Sequence, residues 1–220
     1  MLKLAKTAGA ALAGTLTLMS ACWAAGGESP ADAPAEACFG QDTGRRIDAC
    51  TEFLLRPGLS LEQATMAYAM RALAYSLKGD YEQALPDYDK AIRLNPEFAV
   101  ALNNRAWALY KAGRAPEGKT DIERALALNP LSPHAIDTRA HIRQWLGERA
   151  AALEDYERAM RLGGEPAVKL YQCGLQSAGL YKGNIDGQYT EIVRKALEVC
   201  VANRECDPLP PDEECRKATS

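Results

Sequence analysis

"AYAMRALAYSLKGDYEQALPDYDKAIRLNP" runs from Ala67 to Pro96, and its reading decides the fold. Shifted by 34 residues, the stretch meets itself again, and then once more. Arg71-Ala72 becomes Arg105-Ala106 and Arg139-Ala140. Gly79 becomes Gly113 and Gly147, and Leu94 becomes Leu128 and Leu162. Pro96 and Pro130 close the first two units, and Gly164 replaces the proline in the third. A period of this length marks stacked units that cannot bury their apolar faces alone. Within each unit the pattern predicts two helices. Glycine ends the first by supplying a left-handed backbone. Asp80 is expected to cap the second, and the proline of "LNP" stops it. Pro86 lies inside a helix and is expected to kink it.

These residues resemble the tetratricopeptide repeat: small Ala72 and Ala84, large Tyr75 and Tyr88, and closing Pro96. The resemblance covers Thr65 to Pro166. It implies an all-α helical-hairpin solenoid with repeats at 65–98, 99–132 and 133–166. Such a solenoid needs capped ends. "GRRIDACTEFLL" (Gly44 to Leu55) has helical spacing and reads as the second helix of a degenerate leading repeat or cap at 38–64, which a Cys38–Cys50 bridge would staple.

One charged pattern shares the period. Arg71, Arg105 and Arg139 repeat in step with Asp87, Asp121 and Asp155. Equal numbers of matching aspartates point to one ion pair per unit rather than to a basic ladder for an acidic ligand.

By the same resemblance the first helix of each unit lines a concave binding groove. The expected groove residues are Asn103, Asn104, Trp107, Tyr110, His134, Asp137, His141 and Trp145. Asn104 matches a position that often holds a peptide backbone in the family. The basic clamp that some members use for a C-terminal carboxylate is replaced by Ala69, Leu73 and His134. Large aromatic side chains suit the apolar side chains of a peptide. His134, Asp137 and His141 share one helical face but span two turns, too far apart for a tight tetrahedral metal site. They read as a polar groove wall. No metal, cofactor or catalytic residue is expected, and no phosphate loop, HExxH or GxSxG occurs.

The period breaks after Gly163-Gly164. "VKLYQCGLQSAGLYKGNIDGQYTEIVRKALEVC" (Val168 to Cys200) resembles the peptidoglycan-binding-like domain, a small three-helix module expected at 167–203. Gln172 and Leu175 fit its opening, with Tyr171 in place of the first leucine. Gly179, Leu180 and Tyr181 fit its turn, and Gly183, Ile185, Asp186 and Gly187 its G-x-(V/I)-D-G. Asp186 and Gly187 read as a structural turn. Its usual "FGPAT" is replaced by Tyr189 to Val193, which removes an expected threonine cap, and its closing phenylalanine is Cys200.

The chain begins with Lys3, Lys6 and an apolar run shorter than the ~20 residues that cross a bilayer. Residues 1–21 read as a secretory signal peptide. Cleavage before Cys22, as in a lipoprotein, and cleavage after Ala24 both fit. The Gly-, Pro- and Ala-rich stretch that follows reads, with Cys22, as a flexible tether at 22–37. Cys38, Cys50, Cys173, Cys200, Cys206 and Cys215 form an even set that lacks zinc-type CxxC pairs, so disulfides in an oxidising compartment are expected. The last four allow three connectivities, and two bridges would strap the tail at 204–220 to the module. A net charge of −3 argues against nucleic acid.

Together these features predict a non-enzymatic adaptor in the bacterial periplasm or cell envelope. Its expected partner is an envelope protein or peptide, and it touches membrane only through a lipid on Cys22. The alternative is a peptidoglycan binder whose repeats are a spacer.

Overall fold

A computed structural model of the protein describes residues 33–40, 44–209 and Cys215. The expected signal peptide, Cys22 and residues 22–32 of the tether lie outside the described residues. All regular structure among the described residues is helical, and none of their helices is long and apolar enough to cross a membrane.

Three hairpins carry the period: α3 (Leu61–Leu77) with α4 (Tyr81–Leu94), α5 (Ala99–Lys111) with α6 (Ala115–Leu128), and α7 (Pro133–Trp145) with the start of α8 (Arg149–Ser177). Alanines let their helices approach closely: Ala72, Ala84, Ala106, Ala140 and Ala152 are fully buried. Tyr88, Ile122 and Tyr156, which stand 34 residues apart, fill equivalent places with no exposed surface. Gly79, Gly113 and Gly147 turn each hairpin at φ 78°, 77° and 80°, a left-handed backbone that glycine adopts without strain.

Two local expectations change. Asp80 stands at the N-cap of α4 but its side chain makes no cap bond there. Side-chain caps are found instead at Ser60, which forms a capping box with Gln63, and at Ser132. α4 runs unbroken from Tyr81 to Leu94 across Pro86, whereas the break in helical backbone falls in α8 at Gly164 (φ 65°, ψ −157°).

The repeated arginines are structural. Each forks onto the aspartate of its own hairpin through Nε and Nη2: Arg71 on Asp87 at 2.6 and 2.8 Å, Arg105 on Asp121 at 2.6 and 2.6 Å, Arg139 on Asp155 at 2.8 and 2.8 Å. The remaining Nη1 reaches back to the preceding hairpin: to Thr51 at 2.9 Å, Asp89 at 2.5 Å and Glu123 at 3.3 Å respectively. One guanidinium thus closes its own hairpin and ties it to its neighbour, a use for which its planar fork is suited.

Both ends of the stack are covered. In front, α1 (Ala33–Phe39) and α2 (Arg46–Leu54) form a short hairpin closed by Cys38–Cys50. The end of the expected tether is therefore helix. Pro34 is tolerated in a first turn, and Ala35, Glu36 and Ala37 favour helix. Behind, the rest of α8, a loop and α9 (Glu191–Ala202) make the C-terminal module, to which the described residues contribute these two helices. Its core is continuous with the last hairpin: Ala140, Tyr156 and Met160 pack with Val168, Tyr171, Leu175, Val193 and Leu197.

Gln172, fully buried, pins the loop. Its Nε2 donates to Asp186 Oδ1 at 2.8 Å, and its Oε1 accepts from Gly187 N at 2.8 Å. Asp186 also accepts from Gln188 N, and these bonds hold its carboxyl below the usual range, so it is a turn residue. Gly187 has φ 77°, and a Cβ there would lie 2.2 Å from Glu165 Cγ. The cap expected to be missing from α9 is supplied by Thr190, whose Oγ1 accepts from Val193 N at 3.5 Å.

Candidate concave binding groove

α5 and α7 stand side by side and present their solvent-facing residues to one cleft of about 330 Å³. Asn103, Asn104 and Trp107 line it from α5, and His134, Asp137 and Thr138 from α7. Five of the eight expected groove residues therefore meet in one place. Asn103 Nδ2 donates to Asn104 Oδ1 at 3.1 Å, while Asn103 Oδ1 has no protein partner although it is buried. A buried acceptor without a donor is destabilising, and a donor on a bound chain would satisfy it. The Trp107 ring forms an aromatic wall with Tyr110 at 5.2 Å and Lys111 Nζ at 5.5 Å.

The other three lie deeper and further along. His141 was expected on the groove wall, but it is 1% exposed. The rings of Trp107, Tyr110 and Tyr156 enclose it at 5.1, 5.3 and 5.0 Å. Both ring nitrogens are engaged: Nδ1 with the Asp137 carbonyl at 2.9 Å, and Nε2 with Asp207 Oδ1 at 3.0 Å. Asp137 in turn accepts from the Tyr171 hydroxyl. The helical face shared by His134, Asp137 and His141 turns inward at its end, because the C-terminal segment covers it. Among the described residues no group of His, Cys, Asp and Glu could hold a metal ion.

Burial opposes a charge on His141, but the Asp137 and Asp207 carboxylates outweigh it and raise its pKa to about 10. The same pairing holds Asp207 below its ordinary value against the effect of burial. Lys111 Nζ lies 3.7 Å from Asp207. Tyr110, Tyr156 and Tyr171, the other titratable groups around the ring, are pushed up by burial and then by the nearby carboxylates, and stay neutral. The sign of the pH dependence follows. The unfolded imidazole loses its proton near about 6.5, and the folded one near about 10. The stabilisation is full below the first value and falls away as the pH rises to the second. Urea denaturation at pH 7 and pH 9.5 should give a lower stability at the higher pH. His141→Gln should be less stable at pH 7 and should flatten that fall; an equally steep fall in the variant would show that the charge on His141 does not matter.

The segment that reaches His141 comes from the tail. Residues 203–209 run over the far half of the groove. Gln144, 4% exposed, donates Nε2 to the carbonyls of Asn203 at 2.8 Å and Cys206 at 2.7 Å, with Cys200 O at 3.3 Å. Its Oε1 accepts from the Tyr156 hydroxyl at 2.8 Å. The Arg204 guanidinium sits 3.4 Å from the Trp145 ring centroid, and Leu209 lines the open cleft. Cys200–Cys206 and Cys173–Cys215 are the bonds formed by the last four cysteines. Sequence reasoning placed Trp145 and the cysteines but not Arg204 or Asp207 as partners across the groove. The tail's two cysteines were the one signal that it is held down.

Residues 66–98 match a family model described as the tetratricopeptide repeat, and residues 87–119 match a second model of the same description. No curated protein matches the chain. Repeats of this kind are generally non-catalytic scaffolds, and the matches, with the helical hairpins that span them, support a tetratricopeptide repeat protein with a protein–protein interaction module.

Proposed function

We propose that the chain is a non-enzymatic adaptor of the bacterial cell envelope that holds a protein or peptide segment in its concave groove. The observation that carries this is the open cleft between α5 and α7. It offers two asparagine amides for a peptide backbone, one buried acceptor without a donor, and the Trp107 ring for an apolar side chain. His141 is buried with both nitrogens engaged, so it serves packing, while His134 stays exposed at the cleft. Placement in the envelope rests on the signal-type start and on the even set of cysteines.

The test is a photo-crosslinking amino acid at Asn103, compared with one at exposed Arg124 outside the cleft, in the same envelope extract. One partner should crosslink from Asn103 and not from Arg124. Trp107→Ala should reduce its capture by about thirtyfold, the effect of losing an interface hot spot. Equal capture from both positions would overturn the groove as the binding face. Retention on purified peptidoglycan that Trp107→Ala leaves unchanged would transfer the function to the C-terminal module.

A further inference from the structure

The groove does not stop at the open cleft. Tyr110, His141, Gln144 and Trp145 carry it onward, and residues 203–209 fill that half. The contacts are of the kinds a groove makes with a bound peptide. A side-chain amide reads main-chain carbonyls through Gln144. A carboxylate, Asp207, meets an imidazole at 3.0 Å and an ammonium at 3.7 Å. A guanidinium, Arg204, lies over an indole at 3.4 Å, and an apolar side chain, Leu209, ends at the edge of the vacant half. The segment is also covalently tethered on both sides. Cys200–Cys206 closes a short loop at its start, and Cys173–Cys215 anchors the chain beyond its end. The peptide backbone keeps the segment beside the groove in either redox state, at an effective concentration of about millimolar; the two disulfides hold it seated there, and an external segment competes with it once they are reduced.

We infer that residues 203–209 are an intramolecular occupant of the ligand groove, locked by two disulfides, and that a dithiol reductant releases it and lengthens the groove from the Asn103–Asp137 cleft to Trp145. This rests on the groove being the binding face. Cys206 is only partly buried, whereas Cys200 is fully buried, so attack falls on Cys206 Sγ. A dithiol thiolate bonds to that sulfur and Cys200 leaves as a thiolate, which takes a proton. The reagent's second thiol then closes its own disulfide, loses its proton, and frees Cys206 as a thiol. The Cys173–Cys215 bond is reduced in the same way. For each bond, two electrons and two protons pass from the dithiol.

Trp145 reports the state of the strap. With Trp23→Phe and Trp107→Phe it is the sole tryptophan. In the disulfide-bonded protein, acrylamide should quench it weakly. Serine at Cys173, Cys200, Cys206 and Cys215, or a dithiol on the parent protein, should raise the quenching constant about threefold, as expected for a strap that opens locally. Far-UV circular dichroism should be unchanged. A synthetic peptide of residues 203–209, with serine at position 206, supplied above the roughly millimolar effective concentration of the attached segment, should bind the serine variant and restore the shielding, and should not bind the disulfide-bonded protein. Trp145 that stays shielded in the serine variant, or a peptide that does not protect it, overturns the inference. If the serine variant loses its helices, the parent protein treated with a dithiol decides: quenching of Trp145 must rise while the helical signal stays, and unchanged quenching after reduction overturns the inference. None of these readouts needs the external partner. Their failure leaves the cleft at Asn103 to its own crosslinking test, and a failure there leaves the strap result standing.

Discussion

Asp155→Ala is expected to destabilise the protein by about 3–5 kcal/mol, the range for breaking a buried ion pair by removing one partner. Asp155 is the most heavily used carboxylate of the ladder. Arg139 forks onto it at 2.8 and 2.8 Å, and Arg143 Nη1 reaches it at 2.7 Å. Its side chain is 5% exposed, and those of Arg139 and Arg143 are 15% and 24% exposed. Alanine leaves two largely buried guanidiniums without their shared partner, with Glu123 and Glu148 on the rim as the remaining anions. Asp121, with one arginine on it and side-chain exposures of 9% and 23%, should lose less, about 2–3 kcal/mol. Urea midpoints of the two variants, with unchanged slopes, check the order. Asp155→Leu combined with Arg139→Met should recover part of the loss, because the penalty comes from the uncompensated charge and not from the absence of a bond. A loss below about 1 kcal/mol for Asp155→Ala would place the pair among surface ion pairs and remove the ladder from the stability of the stack.

The period of 34 makes that ladder legible in the sequence, because a contact made once per unit repeats with the unit. The same holds for the turns at Gly79, Gly113 and Gly147 and for the residues of the open cleft, which sit at matching positions of α5 and α7. Features made once carry no such signal. Pro86 leaves α4 continuous, whereas Gly164, which stands where Pro96 and Pro130 close the other units, breaks α8. Tyr171 reads as a departure from a module pattern; its hydroxyl instead donates to Asp137 and joins the module to the last repeat. The strap is the clearest case. Residues 203–209 have no apolar periodicity, and their partners lie 59 to 96 residues earlier in the chain. Pairings at that separation are fixed by tertiary packing and by the two disulfides, and no local pattern in the tail encodes them. The burial of His141 follows in part from the same cause, because Asp207 of the strap closes over a ring that Trp107, Tyr110 and Tyr156 already surround.

Gln144→Glu should be the most damaging change of similar size in the groove. The native amide supplies two N–H donors to carbonyls of the strap and one acceptor to the Tyr156 hydroxyl. Leucine removes all of these. Tyr156 is then left buried without an acceptor, while the carbonyls of exposed Asn203 and partly buried Cys206 can turn to water. That loss is expected at about 2–3 kcal/mol, near the upper end for one unsatisfied buried group with minor additions. Glutamate keeps the acceptor for Tyr156 but points a carboxylate at three carbonyl oxygens 2.7 to 3.3 Å away, in a place where a charge is costly to bury. It should destabilise by more than leucine at pH 7. The difference should shrink as the pH falls, because a protonated carboxyl regains one donor. Denaturation midpoints at pH 7 and pH 5, with hydrogen exchange of the 203–209 amides, separate the cases: Gln144→Glu should be the only variant whose strap regains protection on acidification. Equal effects of leucine and glutamate at both pH values would mean that Gln144 holds the strap by shape rather than by its donors.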